Sequence, residues 1–200
     1  AAVAIESAVE AGTVIRLDSG AIGATRYVHA EDAIAEGISR LLATAEPIEV
    51  HGRPKGSLDD AQQAAVDAAL HLGVSVLTGG PGTGKSRTVA TLVALAERAG
   101  KSVALAAPTG RAAKRLEELC ESPASTLHRL LGAQPRQTGG EVDFSGSGFN
   151  RNEQWPLDED IVVVDEASML DVELADALLS ACAEGTHLMF VGDAAQLPSI

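Results

Sequence analysis

Aromatic side chains are nearly missing from this chain: one Trp, one Tyr and three Phe make up 2% of its residues. A core must therefore be assembled from Ala, Val, Leu and Ile. No apolar run approaches the roughly 18 residues that a bilayer crossing needs, which excludes a membrane helix and a membrane partner. The first residues, AAVAIESAVEAG, carry Glu6 and Glu10 and no basic leader, so they do not read as a secretory signal. They also lack an initiating Met, which points to a processed or excised chain. Cysteine is limited to Cys120 and Cys182, each alone in a helix-like stretch without a CxxC partner. That excludes zinc and predicts two small buried hydrophobes in a reducing cytosol, hence a cytoplasmic location. Positive charge is scarce too, with 15 Lys+Arg against 28 Asp+Glu and a net charge of −13. Proteins that grip nucleic acid by its phosphates usually present a basic face, so a strong stand-alone DNA binder is disfavoured. A local basic track remains, because Arg111, Lys114, Arg115, Arg129 and Arg136 fall within one third of the chain.

What is present is ordinary globular material, 46% hydrophobic and 22% charged over 200 residues. That suffices for one sizeable α/β domain and a small appendage. Residues 1–46 read as helix, two short strands and helix. Ala1–Ala11 is apolar at helical spacing, and Val14–Asp18 and Ala24–Val28 alternate about the Ser19-Gly20 turn. Glu31–Leu42 places Ile34, Ile38, Leu41 and Leu42 on one helix face. The unit fits a small cap or the tail of a winged-helix module whose wing is the hairpin. Residues 47–56, with Gly52 and Pro54, form a linker by composition. Ser57 then caps a helix over Leu58–Leu72, with Asp59 and Asp60 in its first turn. From there to Ile200, strands at Val74–Thr78, Ser102–Ala107, Ile161–Val164 and Leu188–Val191 alternate with helices at Ser86–Ala99, Gly110–Glu121 and Val172–Ala183. Ser125–Leu131 reads as a short helical turn. The alternation predicts an α/β fold, a parallel sheet with helices on both faces. Residues 133–152 are polar and glycine-rich, a loop or small hairpin whose longest strand-like stretch is Glu141–Phe144. Trp155 is expected to pack at its base, with stacking on a nucleobase as the less favoured alternative. The end at Ile200, straight after a strand and loop, predicts a domain that is cut rather than finished.

Gly79-Gly80-Pro81-Gly82-Thr83-Gly84-Lys85-Ser86 fits the G-x-x-x-x-G-K-[ST] pattern, entered by a hydrophobic strand and left by an amphipathic helix. Glycines let successive backbone N–H groups face a β-phosphate without Cβ clashes, and the helix starting near Lys85 adds its positive dipole end. Lys85 is expected to reach the β- and γ-phosphates and Ser86 to ligate Mg²⁺, so ATP and Mg²⁺ are the implied cofactors; Arg87 follows in the same turn. Asp165 and Glu166 close the buried run Ile161–Val164. Asp165 suits a Mg²⁺ ligand acting through water, and Glu166 suits orienting and deprotonating the attacking water. Ligands in such sheets lie at the carboxyl ends of strands, so Gln196 is placed to sense a γ-phosphate. Gln62, before the phosphate loop, is a candidate for the adenine edge, with a solvated helix face as the alternative. Pro108, Thr109, Gly110 and Arg111 open the basic helix, and with Thr126 and His128 they form a candidate nucleic-acid track. A solvated basic face is the plain alternative there.

Six ordered blocks resemble the superfamily 1 helicases, specifically the RecD-like group: LDDAQQAAV (58–66), TGGPGTGKS (78–86), AAPTGRAAKRL (106–116), STLHRLLG (125–132), VVVDEASMLD (162–171) and FVGDAAQLPS (190–199). Pro156-Leu157-Asp158 is similar to the RecD2 branch, found without RecBC partners. Residues 1–46 are more weakly similar to the winged region before the motor of such proteins. The resemblance implies a P-loop NTPase RecA-like lobe (57–200) of a 5′→3′ DNA translocase acting on single-stranded DNA. It implies Gln62 at adenine, Lys85 and Ser86 at phosphate and Mg²⁺, Asp165 and Glu166 at metal and water, and Gln196 as the coupling residue. Thr109 and Arg111 would lie along the strand, and residues 133–152 would be the strand-separating pin. It further implies a monomeric motor in repair or recombination whose ATP lies between this lobe and a second RecA-like lobe of the full-length chain. That second lobe would supply an arginine worth roughly 10³–10⁵ in rate. A piece without it is expected to bind nucleotide and barely hydrolyse it. The competing classes are an AAA+ remodeller, a conjugative relaxase helicase and a non-hydrolysing nucleotide-gated module. An AAA+ remodeller would need a sensor strand and helical lid, and a relaxase would need an upstream His cluster and catalytic Tyr.

Overall fold

Four consecutive apolar residues, Ile161–Val164, are fully buried, because helices cover both faces of the strand they form. The computed structural model describes residues 2–51, 58–133, 136–138, 141–143, 148–193 and 195–196. Ser57, Leu197, Pro198, residues 52–56 of the expected linker and parts of the 133–152 insertion lie outside the described residues. The chain begins with α1 (Ala2–Glu10), β1 (Val14–Arg16), β2 (Ile22–Ala24), α2 (Thr25–Thr44), α3 (Asp60–His71), β3 (Val74–Thr78) and α4 (Lys85–Arg98). It continues with β4 (Val103–Ala107), α5 (Gly110–Cys120), β5 (Ala124–Thr126), α6 (Leu127–Leu130), β6 (Arg136–Thr138) and β7 (Glu141–Asp143). Last come β8 (Ile161–Val164), a 3-10 turn (Ala167–Met169), α7 (Val172–Ala181) and β9 (His187–Gly192). Five strands form one parallel sheet in the order β3-β9-β8-β4-β5.

Alternate residues of β8 serve two cores. Ile161 and Val163 join Val66, Leu70, Val89, Leu92 and Leu116 from α3, α4 and α5. Val162 and Val164 face the other way, against Leu41, Leu127, Leu174 and Leu178 from α2, α6 and α7. The protein is thus an α/β sheet sandwiched between helices. Helix α2 is fastened firmly to it. The Arg40 guanidinium donates to the carbonyls of Leu179 (2.7 Å) and Cys182 (2.9 Å) at the end of α7. A Cβ on Gly73 would sit 1.9 Å from the Leu41 carbonyl oxygen, so only glycine lets α2 close on the entrance to β3. Ile48, just past α2, is buried, and its N–H donates to Leu70 O (2.8 Å). The ring nitrogens of buried His187 lie 2.9–3.0 Å from the carbonyl oxygens of Glu46, Ala69 and Leu72, tying β9 to α3.

Several sequence expectations shift here. The second hairpin strand is Ile22–Ala24 rather than Ala24–Val28, because Thr25 N–H donates back to Thr13 O (3.1 Å) and helical spacing takes over at once. The helix before the phosphate loop is capped by Asp59, whose side chain accepts Gln62 N–H (2.8 Å) while Gln62 Oε1 accepts Asp59 N–H (3.2 Å). The stretch expected as a helical turn at Ser125–Leu131 opens with a fifth sheet strand, β5, paired to Leu105–Ala107. Thr126 ends that strand and caps α6 in the same step, accepting Arg129 N–H (3.2 Å). The insertion contains a hairpin, β6 with β7, rooted where Ala133 bridges Phe149. Trp155 lines a cavity with Phe149 at that root but is not packed into it: it is 71% exposed.

Candidate functional site

Every candidate group after a sheet strand emerges at the same carboxyl edge. Thr78 of β3 pairs with Gly192 of β9, Val164 of β8 pairs with Phe190, and Ala106 of β4 pairs with Val164. The loop Gly79–Gly84 therefore leaves β3 beside the loop after β9, and Gly79 N–H donates to Gly192 O (3.3 Å). Gly82 and Gly84 adopt φ of 78° and 85°, the left-handed region that turns backbone N–H groups into the loop's concavity. Pro81 and Thr83 are exposed at its tip, and Thr83 Oγ1 donates to Gly80 O (2.9 Å). Half-buried Lys85 reaches back over the loop, its ammonium donating to Gly79 O and to Gly80 O (3.0 Å). Ser86 and Arg87 follow in the first turn of α4. Gln62 touches this loop from behind: its Nε2 donates to Thr83 O (3.1 Å), and a Cβ on Gly84 would meet that nitrogen at 2.4 Å.

Asp165 continues the β8–β4 pairing, donating its N–H to Ala106 O (2.9 Å), and its Oδ1 accepts Glu166 N–H (3.0 Å). Burial raises the Asp165 pKa; the Glu166 N–H, Lys85 and Arg115 pull against it without cancelling it. A partly desolvated carboxylate in this position could hold a metal ion, whose charge would offset the cost of its burial. Glu166 has φ 54°, a left-handed conformation costing a non-glycine residue roughly 1 kcal/mol or more. The sharp turn redirects its side chain away from the strand line. It lines a cavity of about 590 Å³ with Gln196, Thr109, Arg111, Lys114 and Arg115. The acid from β8, the amide after β9 and the basic helix α5 thus share one space.

Gln196 is held by a residue whose role was not read from the sequence. Asp193 is buried, its Oδ1 accepts Ala195 N–H (3.0 Å), and its carbonyl accepts Gln196 N–H (3.1 Å). The signal was there in Gly192-Asp193 after a strand, an Asx-type turn. Pro108 and Gly110 flank Thr109, which caps α5 by accepting Ala112 N–H (3.3 Å). Thr126 and His128, on edge strand β5 and on α6, do not line that cavity, although a Cβ on Gly110 would meet Thr126 Cγ2 at 4.0 Å. Both cysteines are buried, which pushes Cys120 up to about 11 and Cys182 up to about 12. Neither ionises near neutral pH.

Residues 62–200 match a family model described as an AAA domain. The ATP-dependent RecD2 DNA helicase of Deinococcus radiodurans is 37% identical over 220 residues, covering 100% of this chain and 29% of that protein. The RecBCD enzyme subunit RecD of Mycobacterium tuberculosis is 40% identical over 202 residues, covering 88% of this chain and 33% of its own length. The Pif1 helicase structure from Candida albicans aligns with a TM-score of 0.50 and 26% identity over 72% of this chain and 34% of that one. The chain spans about a third or less of the length of each. With its phosphate loop, acid pair and sheet order inside the matched segment, the chain belongs to the AAA domain family and, among curated relatives, is similar to RecD2 and RecD.

Proposed function

We propose that this chain forms the nucleotide-binding lobe of an ATP-dependent DNA helicase that moves 5′→3′ along single-stranded DNA. The supporting observation is the shared cavity, in which Glu166 and Gln196 from the nucleotide edge face Thr109 and Arg111 of the basic helix. A change at the γ-phosphate then has a short mechanical route to the strand-binding helix. Mg²⁺ fits the donors: one hydroxyl, Ser86, and one carboxylate, Asp165, on the phosphate side. Among the described residues no cluster of three or more His, Cys, Asp or Glu forms a cage. Mg²⁺ characteristically takes one or two carboxylates and completes its shell with phosphate and water. Mg²⁺-ATP, when bound, would supply the phosphoanhydride and neutralise its charge. Lys85 would hold the β- and γ-oxygens, the loop N–H groups would orient the β-phosphate, and Glu166 would accept the proton of the attacking water.

The finer assignments belong to the same reading. Gln62 contacts adenine while gripping the loop through Thr83. A second RecA-like lobe of the full-length protein supplies an arginine. The β6–β7 hairpin serves as a strand-separating pin, and α1, β1 and β2 form the end of a winged module. Among the described residues no helix is long and apolar enough to cross a membrane; a monomeric cytoplasmic motor is the proposed setting. The test is DNA-stimulated ATP turnover of the full-length protein. Lys85→Ala should lower it at least about 100-fold, because it removes a preorganised charge from the transition state. Absence of DNA-stimulated turnover in the full-length wild type, with partner binding retained in Lys85→Ala, would instead identify a non-hydrolysing nucleotide-gated module.

A further inference from the structure

Trp155 is the only tryptophan of the chain, and 71% of it faces water. Its backbone is nonetheless tightly held. Asn152 N–H donates to Trp155 O (3.2 Å) and Trp155 N–H to Asn152 O (3.0 Å). Asn152 Oδ1 also accepts the N–H groups of Gln154 (2.9 Å) and Trp155 (3.2 Å). Arg151 anchors the turn, its backbone N–H donating to Leu131 O (3.0 Å) and its guanidinium to Pro156 O (2.6 Å) and Asp158 (3.2 Å). The indole is therefore presented on a stiff two-residue turn at little further entropic cost on binding. It borders a cavity of about 700 Å³ lined also by Phe149, Asn150, Arg151, Asn152 and Asp158. Phe149 in turn lies 6.0 Å, ring centre to ring centre, from His128 at a tilt of 50°.

Phe149 thus sits at the root of the β6–β7 hairpin between two aromatic neighbours, His128 just after β5 in ring contact and Trp155 across the shared cavity. We propose that Trp155 and Phe149 form a stacking site for an unpaired nucleobase where the single strand meets that root. Three features favour this occupant. Among the described residues Arg151 is the one cation lining the cavity, and it is paired to Asp158, so the site is poorly suited to phosphate. A chain of net charge −13 gains little from phosphate attraction and needs another contact, and stacking is insensitive to that charge. The cavity joins aromatic faces to polar walls, matching a base with its π-face and polar edge; an apolar protein side chain would leave Asn152 and Asp158 against hydrocarbon.

This inference rests on the proposal that the protein binds single-stranded DNA, and one experiment separates the two. Affinities of full-length wild type, Trp155→Ala and Trp155→Phe are measured for an oligo-dT strand and for a wholly abasic strand of equal length, across a salt series. Trp155→Ala should weaken oligo-dT binding about 5- to 150-fold, the range for losing one stacked base. Trp155→Phe should keep most of the affinity. The abasic strand should erase the difference between variants, and the salt slope should not move, because no phosphate contact is lost. A strand carrying 5-iodouracil should photocrosslink to the peptide containing Trp155. If wild type binds oligo-dT and Trp155→Ala binds it equally, or loses as much on the abasic strand, the stacking site is wrong. The same follows if oxidative footprinting finds Trp155 shielded in the strand-free full-length protein, which would make it a packing surface. If wild type binds no oligo-dT at all, the single-strand reading fails first.

Discussion

Glu166 is held in the left-handed region at φ 54°, and no glycine relieves it. The conformation costs roughly 1–3 kcal/mol, and what it accomplishes is to swing a carboxylate off β8 into the cavity with Gln196 and Arg111. Stability and chemistry should therefore separate at this position. Glu166→Gly should be more stable than Glu166→Ala by about 0.5–1 kcal/mol, the relieved strain less the extra chain entropy of glycine. Both should lose ATP turnover. Glu166→Gln, which keeps the strain and the shape, should bind nucleotide normally and still fail to hydrolyse it. Thermal unfolding beside single-turnover hydrolysis checks all three, and Glu166→Gly melting below Glu166→Ala would refute the strain argument. Gln62 shows a different economy, with one amide completing the cap of α3 and gripping Thr83 O at the phosphate loop.

Among the elements, the corner where β8 begins depends on Asp160. Its carboxylate accepts from Lys101 Nζ (2.9 Å), Ser102 N–H (2.8 Å) and Ser102 Oγ (2.8 Å), fixing the entrance of β8 to that of β4. Burial raises its pKa, but these hydrogen bonds and the Lys101 charge outweigh burial and hold it at about 2. An unfolded Asp titrates near 3.9, so the native state binds fewer protons and the contribution is complete above about pH 4. It is lost as pH falls from about 4 toward 2. Asp160→Asn should thus cost about 1–2 kcal/mol at neutral pH, the exposed ion pair with Lys101 adding little. The gap to wild type should close over that acid range in urea titrations; a gap independent of pH would contradict the assignment. The elements readable from sequence were those with strong local codes. The phosphate loop announces itself, and β8 is four buried β-branched or aliphatic residues in a row. By contrast β5 is Ala-Ser-Thr, short and half-buried at a sheet edge, and only its register with Leu105–Ala107 makes it a strand. Gly73 has no local signal either, since its necessity comes from Leu41, far away in sequence. Trp155 misled for the same reason: an indole reads as core until the fold leaves it outside.

At the scale of the whole molecule, the sheet order places both partners of the proposed coupling on one edge. β3 carries the phosphate loop, β8 and β9 carry Asp165, Glu166 and Gln196, and β4 leads into the basic helix α5. The cavity cations Arg111, Lys114 and Arg115 all sit on that helix, and the Arg115 charge already acts on Asp165. None of the three belongs to the phosphate loop or to α4, the elements expected to surround a transferring phosphoryl group. The relatives are about three times as long as this chain, and in the proposed reading their remaining length includes a lobe that brings an arginine there. Residues 1–200 alone should accordingly show a nucleotide-dependent, Mg²⁺-dependent rise in melting temperature, because Lys85, Ser86 and Asp165 are all present. Their turnover should fall below that of the full-length protein by roughly 10³–10⁵, the usual contribution of such an arginine. A rise in melting temperature with near-full turnover would mean that this lobe completes its own transition state, and Arg115 would become the residue to remove next. A thermal shift abolished by Lys85→Ala, with turnover already lost, would place the deficit where the geometry leaves it: in stabilising the transition state, with nucleotide binding intact.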